Sequence, residues 1–324
     1  RNIAAIASGT SIAQLITISV IPILSRQYSA DIFGAIGVLM ATVSVLSTIS
    51  SGRYNMSVTL PKNESDSFNL LAFTVSLQII FVVICLGLVP FSKQVALLLS
   101  TPEIEPFLVY VPLMVLLTGF NNTLEYWFGR KKRFMYLSVA VVLASVTSNT
   151  WKVYFGIDVP TTRFMLIGNI LNLLLPLFVY LYVEYTNLRR LFLSDFSLKR
   201  ILILANKYNY FPKYRAPKDF LNSTTQNAPT FLLVTFFSVT EVGLYVLADR
   251  IMRVPGILIG QAVRKVFYQK ASEIYNSKSG RSLFQATLLS TLGLAAIGFL
   301  PYIAVVLFGN ELFSLILGEQ WAKA

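Results

Sequence analysis

The chain has 324 residues, of which 55% are hydrophobic and only 13% are charged, with 27 Lys and Arg against 15 Asp and Glu. Soluble domains usually carry about 25% charged residues, so this composition argues against the water-soluble globular classes. Apolar stretches of about 20 residues, the length a helix needs to cross a bilayer, recur along the sequence. Because the alternating pattern of a membrane barrel is missing from these stretches, the sequence predicts an all-α polytopic membrane protein.

The surplus of positive charge is typical of the cytoplasmic loops of a membrane protein, and we expect no nucleic-acid partner. The chain has no histidine, and its one cysteine, Cys85, stands inside an apolar run. These residues give no zinc or redox-metal signature, and the sequence contains no phosphate-binding GxxxxGK[ST] loop. We therefore expect no metal, no cofactor and no enzymatic activity.

In chain order, the apolar windows predict nine membrane spans and the start of a tenth. The fourth is the shortest, and the seventh is diluted by the polar run NSTTQNAP. The predicted spans cover 3–24, 33–52, 69–90, 106–121, 134–151, 164–183, 214–237, 242–268 and 283–308, then 311 onward.

The distribution of Lys and Arg predicts a cytoplasmic N-terminus. With that orientation the outward connections hold only four of these residues, Arg26, Lys93, Lys152 and Arg163. The inward connections hold nineteen: Arg53, Lys62, Arg130, Lys131, Lys132, Arg133, Arg189, Arg190, Lys199, Arg200, Lys207, Lys213, Arg215, Lys218, Arg264, Lys265, Lys270, Lys278 and Arg281. A bias of this size follows the positive-inside rule.

The longest polar connection, about 184–211, follows the sixth span. Leu191, Leu198, Ile201 and Leu202 recur there at helical spacing among basic residues, which predicts an amphipathic helix on the membrane surface. A six-span half, a basic linker and a second half form the layout of transporters built from two bundles. The predicted parts are a six-helix bundle over 1–186, a linker over 187–212 and a partial second bundle over 213–324.

Three blocks carry a resemblance to a known family. They are GTSIAQLITISVIPILSRQYSADIFGAIGV near the start, RYNMSVTLPK after the second span, and VGLYVLADRIMRVPGILIGQAVRKVFYQKASE at the eighth. The chain, apart from about 134–186, resembles the oligosaccharide flippase (Wzx-like, polysaccharide biosynthesis) family of the multidrug/oligosaccharidyl-lipid/polysaccharide exporter superfamily. It departs from the family pattern at Asn55, where a glutamate usually follows Arg-Tyr, and this weakens any ion-coupling role for that position.

The resemblance implies two six-helix bundles facing each other in a V, of which this sequence holds nine to ten spans, clipped at both ends. It implies a multi-pass protein of the bacterial inner membrane that translocates polyprenyl-pyrophosphate-linked oligosaccharide units, precursors of O-antigen, capsule or exopolysaccharide, by alternating access. The implied partners are undecaprenyl-pyrophosphate-linked substrate, the lipid bilayer, and the polymerase and chain-length proteins of the pathway. The alternatives are a multidrug or cation antiporter of the same superfamily and a membrane-embedded oligosaccharide polymerase or ligase.

The eighth predicted span carries charge where charge is costly. Asp249, Arg253, Gly256, Gly260 and Arg264 follow one another at steps of three and four residues, so they share one helical stripe. A charge facing lipid near the middle of a helix costs about 2.5–3.5 kcal/mol on insertion scales, so the stripe is expected to face protein or a wet cavity. Guanidinium groups bind phosphate through forked hydrogen bonds, so Arg250 and Arg253 are the leading candidates for pyrophosphate binding.

Other interpretations of this stripe stay open. Asp249 could pair with Arg253 as a structural contact, or it could sense a proton or sodium ion. Asp249 and Arg250 could also reach the outer interface by snorkelling. Gly256 and Gly260 form a GxxxG pair whose simplest role is close helix packing.

Five further residues complete the predicted substrate site. Arg53 ends the second span and Arg215 begins the seventh, where either could draw phosphate into the cavity or act as an ordinary interfacial arginine. The other three are amides suited to sugar hydroxyls: Gln14, Asn222 and Gln261. The run GRKKRF at 129–134 is expected to be a cytoplasmic charge cluster that interacts with the membrane surface.

Overall fold

The computed structural model describes residues 2–98, 101–253 and 280–322, and within these ranges every regular element is a helix. The α-helices are α1 (Asn2–Gln27), α2 (Ala30–Ile49), α3 (Glu64–Leu88), α4 (Ser92–Leu98), α5 (Glu105–Leu108), α6 (Val111–Arg130), α7 (Phe134–Asp158), α8 (Thr162–Asp195), α9 (Leu198–Lys207), α10 (Ala216–Phe236), α11 (239–253 as far as described) and α12 (Gly280–Leu317).

Among the described residues, five helical segments are long and apolar enough to cross a membrane: Gly9–Gln27, Ala30–Ile49, Glu64–Leu97, Phe134–Asp158 and Thr162–Asp195. A bent pair, Pro102–Leu108 with Val111–Arg130, meets at 59° and raises the number to six if it forms a single span. The predicted class, an all-α polytopic membrane protein, is confirmed.

The later predicted spans are described less completely. The seventh forms helix α10, but its polar residues leave it outside the set that is apolar enough to cross a membrane by composition. The eighth, 242–268, lies partly outside the described residues. The ninth lies within α12, which also contains the start of the predicted tenth, and the backbone leaves helical angles between them at Phe308.

The chain divides into two compact units, Arg1–Gly243 and Leu244–Ala324. In the first, α7 packs between α1 and α8, while α6 packs against α2, α3 and α8. A cluster of buried side chains fills the space among α3, α6, α8 and α9. Within a bilayer, such a cluster is stabilised by close van der Waals packing rather than by the hydrophobic effect. Its buried members are Val58, Phe68, Leu70, Leu71, Leu117, Leu124, Trp127, Phe128, Ala140, Leu177, Tyr180, Leu191 and Leu204.

Hydrogen bonds show which loops of the first unit share an end. The Tyr54 hydroxyl donates to the Ala205 carbonyl at 2.9 Å, and Arg130 donates to the Lys62 carbonyl at 3.1 Å. The loops after α2, α6 and α8, all predicted to be cytoplasmic, therefore lie together at one end. The side of the membrane on which this end lies stays a prediction.

Lys152 lies elsewhere than the predicted outward loop. Helix α7 continues to Asp158, so Lys152 is inside it and only 6% exposed. Its ammonium donates to Asn169 Oδ1 at 2.8 Å, and its carbonyl accepts from the Tyr28 hydroxyl at 2.8 Å. The prediction ended the fifth span at a lysine, but a buried polar partner allows the helix to continue past it.

The first turn of α2 meets the start of α11 with backbone against backbone. A Cβ added at Gly34 would lie 1.9 Å from the Val239 carbonyl oxygen, and one at Gly243 would lie 1.9 Å from the Ala30 carbonyl oxygen. Thr240 adds a hydrogen bond to Asp31 at the same place. Only glycine permits so close an approach at these two positions.

The second unit contains the last turns of α11, then α12 and a short 3₁₀ turn at Glu319–Trp321. Trp321 is fully buried, and the Tyr302 hydroxyl donates to the Met252 carbonyl at 3.4 Å. The predicted division at 1–186, 187–212 and 213–324 stays a prediction.

Candidate functional site

A left-handed turn follows α2 and contains Arg53, whose side chain reaches Asp219 of α10. Gly52 and Arg53 have φ values of 54° and 60°, and a 3₁₀ helix, Tyr54–Thr59, follows them. Positive φ is unusual for arginine, and such outliers cluster at functional sites. The turn lies next to Pro212, which is 3.7 Å from a Cβ built at Gly52, so Arg53 is near the start of α10.

Arg53 and Arg215 converge on one carboxylate. Arg53 Nε lies 3.0 Å from Asp219 Oδ2, and Arg215 Nε lies 3.5 Å from the same oxygen. Neither Nε–H is aligned for a hydrogen bond within the described structure, so these contacts are electrostatic. Two guanidinium groups face one carboxylate, and the group therefore keeps a net positive charge. Below, Arg53, Arg215 and Asp219 are called the arginine cluster.

A π-helical turn, Phe211–Arg215, leads into α10 and positions two members of the arginine cluster. Such turns are rare and often occur at functional sites. Arg215 and Asp219 are four residues apart and share one face of the helix. Helix α10 then packs along α2, where Asn227 Nδ2 donates to Ser44 Oγ at 3.4 Å.

Asp219 is a member of the site that sequence reasoning missed. Its signal was its position, four residues after Arg215 in the first turn of α10. An acidic residue near the start of a helix has an ordinary role in the helix dipole, so the position alone did not indicate a partner on another helix. The contact with Arg53 depends on the packing of α10 against α2, which local sequence does not encode.

Two of the three predicted amides, Gln14 and Asn222, lie on exposed surfaces of the first unit. Asn222 is exposed on α10, as are Thr225 and Gln226 one turn further along. Gln14 is exposed on α1. Uncovered amides on a helix that adjoins spanning helices are costly in lipid, so these positions favour a polar surrounding.

In the second unit, Asp249 and Arg253 form an ion pair one turn apart on α11. Arg253 Nε lies 2.8 Å from Asp249 Oδ1 and 2.7 Å from Oδ2, and the side chains are 52% and 32% exposed, respectively. Arg250 is also exposed. Gln261, with Gly256, Gly260 and Arg264, lies outside the described residues.

Asn55, the departure from the family pattern, is 2% exposed and accepts a hydrogen bond from Ser51 Oγ at 3.3 Å. A neutral amide suits such a buried position, whereas a carboxylate there would need a cation beside it.

The charged run at 129–134 forms internal contacts that the sequence analysis did not predict. Lys131 and Arg133 both pair with Glu184, whose side chain is fully buried, and Lys131 also pairs with Glu64 at 2.9 Å. Arg130 donates to backbone carbonyls of the loop 59–62. Three of the four basic residues thus hold loops together, and Lys132 alone among them is exposed.

Comparison with known proteins places these features in a family. The chain is similar to the succinoglycan biosynthesis transport protein ExoT of Rhizobium meliloti (strain 1021), with 24% identity over 313 residues. The match covers 94% of this chain and 59% of that relative, so the chain spans about three fifths of the relative's length. No solved structure matches the chain. A family model described as polysaccharide biosynthesis protein matches residues 23–324, and the chain belongs to that family.

Proposed function

We propose that this protein is a flippase that moves polyprenyl-pyrophosphate-linked oligosaccharide units across the bacterial inner membrane. Two comparisons support the proposal: the family matched over most of the chain is named for polysaccharide biosynthesis, and the relative is named as a transport protein. The observation that carries it is the arginine cluster. Its two guanidinium groups and one carboxylate give the cluster a net charge of +1.

The arginine cluster suits the capture of a diphosphate. A pyrophosphate carries more negative charge than one carboxylate and offers several acceptor oxygens, so it competes with Asp219 for both guanidinium groups. While the site is empty, Asp219 offsets part of the charge of the two arginines, and this lowers the cost of holding two cations close together. In this proposal the cluster is the cytoplasmic mouth of the transport route.

The sugar part of the substrate needs hydrogen-bonding partners along the same route. Asn222 and Gln226 follow Asp219 on α10 at steps of three and four residues, so the amides continue the stripe that begins at the cluster. In the proposal these amides, Gln14 and Gln261 bind sugar hydroxyls of the substrate, and Arg250 and Arg253 bind its pyrophosphate. Alternating exposure of the cavity to the two sides then moves the headgroup.

The test is the location of lipid-linked units in a strain that lacks the gene. We expect pyrophosphate-linked oligosaccharide to accumulate with its headgroup on the cytoplasmic face, as measured by labelling with a membrane-impermeant sugar reagent in oriented vesicles. Expression of the protein should restore labelling from the periplasmic face. Accumulation on the periplasmic face of the deletion strain would contradict the proposal and would indicate a polymerase instead.

A further inference from the structure

Helix α9 lies against the first turns of α3 at the end of the bundle that holds the arginine cluster. Ile201 and Leu204 of α9 are buried in that contact. Asn69 of α3 fixes the approach to α9 because its amide donates to the Asp195 carbonyl at 2.9 Å and accepts from the Ser197 amide at 2.9 Å. The helix is therefore held beside a spanning helix.

Only half of the apolar face of α9 is covered by protein. Leu198 and Leu202, one turn apart, are 69% and 70% exposed. The preceding residues Phe192 and Leu193, at the end of α8, are exposed too. Helix α8 has 34 residues, or about 51 Å, against a hydrocarbon core of about 30 Å, so its last turns extend past the core. This places the exposed apolar residues at the membrane interface.

A basic groove lies along α9 next to Asp66 of α3. It has a volume of about 420 Å³ and is lined by Asp66, Ser197, Lys199, Arg200, Ile203, Leu204 and Lys207. Asp66 pairs with Arg200 and raises the pKa of its guanidinium, so Arg200 stays protonated. The carboxylate of Asp66 offsets its positive charge. Lys199 and Lys207 form no ion pair with any residue in the described part of the chain, and Lys207 lies over the ring of Tyr208.

We propose that the groove on α9 binds the headgroup of an anionic phospholipid, whose acyl chains pack beside Leu198, Leu202 and Ile203. Charge complementarity supplies the choice of ligand, because two unpaired ammonium groups attract a phosphodiester at the level where headgroups lie. A leucine pair exposed beside a spanning helix supplies the apolar contact that a soluble anion would not need. This site is separate from the arginine cluster and does not depend on the transport proposal.

The experiment measures lipid retention by the purified full-length protein in detergent with native mass spectrometry. The probes are phosphatidylglycerol and phosphatidylethanolamine with identical acyl chains. We expect the wild type to retain phosphatidylglycerol preferentially. The double change Lys199→Gln/Lys207→Gln should lower that affinity about twenty-five-fold, since each cation near an anionic lipid is worth about a factor of five.

Two further variants and one competitor make the result specific. Lys213→Gln/Lys218→Gln removes two exposed charges outside the groove and should leave retention unchanged, and Lys199→Arg/Lys207→Arg should also keep it. Leu198→Asn/Leu202→Asn should weaken retention of phosphatidylglycerol. Equal retention by wild type and Lys199→Gln/Lys207→Gln, or an equal loss in the Lys213→Gln/Lys218→Gln control, would overturn the proposal. Displacement of the lipid by millimolar inorganic phosphate would overturn it as well, since the site would then be one for a free anion.

Discussion

Arg53 Nε and Asp219 Oδ2 lie 3.0 Å apart and join the end of α2 to the start of α10. This contact makes Asp219 an internal competitor for any anion that binds the two arginines. In the proposed site, its carboxylate occupies the place that a phosphate oxygen would take.

Substitution Asp219→Asn should therefore increase the affinity for inorganic pyrophosphate. Removal of one partly buried negative charge from the cluster is expected to strengthen binding about five- to tenfold, because the repulsion between carboxylate and diphosphate is lost. Isothermal titration calorimetry on the purified protein measures the change. Asp158→Asn, at an exposed residue at the end of α7, is the matched control and should leave the affinity unchanged. Equal affinities for wild type and Asp219→Asn would argue against phosphate binding at this cluster.

Arg53 allows a charge to be removed without disturbing the backbone. Its φ of 60° is tolerated by asparagine much better than by most residues, so Arg53→Asn should insert and fold like the wild type. We expect surface polysaccharide to fall to the level of the deletion strain, with an unchanged amount of protein in the membrane. Arg53→Lys keeps the charge but not the forked geometry and should retain part of the activity. Full export by Arg53→Asn would remove Arg53 from the proposed site.

Substitutions in the pair Asp249–Arg253 distinguish a role in substrate binding from a role in helix stability. A half-exposed pair one turn apart stabilises a helix by about 0.5 kcal/mol or less, so neither Arg253→Gln nor Asp249→Asn should change the unfolding temperature measurably. If Arg253 binds phosphate, its loss should abolish polysaccharide export while Asp249→Asn preserves it. Equal losses in both variants would instead indicate that the pair acts as a unit, as a structural contact or an ion-coupling site.

Glu184 should dominate the stability of the loops around it. Its fully buried carboxylate pairs with both Lys131 and Arg133, so Glu184→Gln removes the counter-charge of Arg133 and leaves Lys131 with Glu64 alone. We expect a loss of about 3 kcal/mol in the free energy of unfolding. Glu64→Gln removes a carboxylate that is 42% exposed and should cost about 1 kcal/mol or less. Denaturant titration in detergent compares the two variants, and equal losses would contradict the ranking.

The contact between α2 and α11 should not tolerate a methyl group. Gly34→Ala and Gly243→Ala each place a Cβ 1.9 Å from a carbonyl oxygen of the facing backbone, so the two segments must move apart. The expected loss is about 1–3 kcal/mol for each variant. Gly87→Ala, in α3, meets nothing within 4 Å and should be neutral or slightly stabilising. Thermal unfolding followed by intrinsic fluorescence measures all three, and a neutral Gly34→Ala would show that the contact is loose.

The sequence predicted the helical membrane fold well, because the cost of exposing backbone groups in lipid forces apolar stretches into helices. It predicted boundaries less well where a polar residue had a hidden partner. Lys152 ended a predicted span, yet Asn169 satisfies it inside the bundle.

Two of the predicted site residues, Arg53 and Arg215, lie together in the structure, and the assignment of the site stays a prediction. The arginines Arg53 and Arg215 stood out because charge is rare in this chain, but their common partner Asp219 did not. Similarly, the run at 129–134 was expected to interact with lipid, whereas Glu184 and the carbonyls of the loop 59–62 bind most of it. In both cases the missing information was which distant segment lies opposite, and local spacing does not contain it.

Helix α2 thus has two very different attachments. Near its first turn, the glycine contacts at Gly34 and Gly243 join backbone to backbone, and no ligand or solvent ion can replace them. Beyond its last turn, the attachment is the ion pair between Arg53 and Asp219, which a competing anion can break. An anion that binds Arg53 would therefore weaken the contact between α2 and α10 and leave the contact between α2 and α11 unchanged.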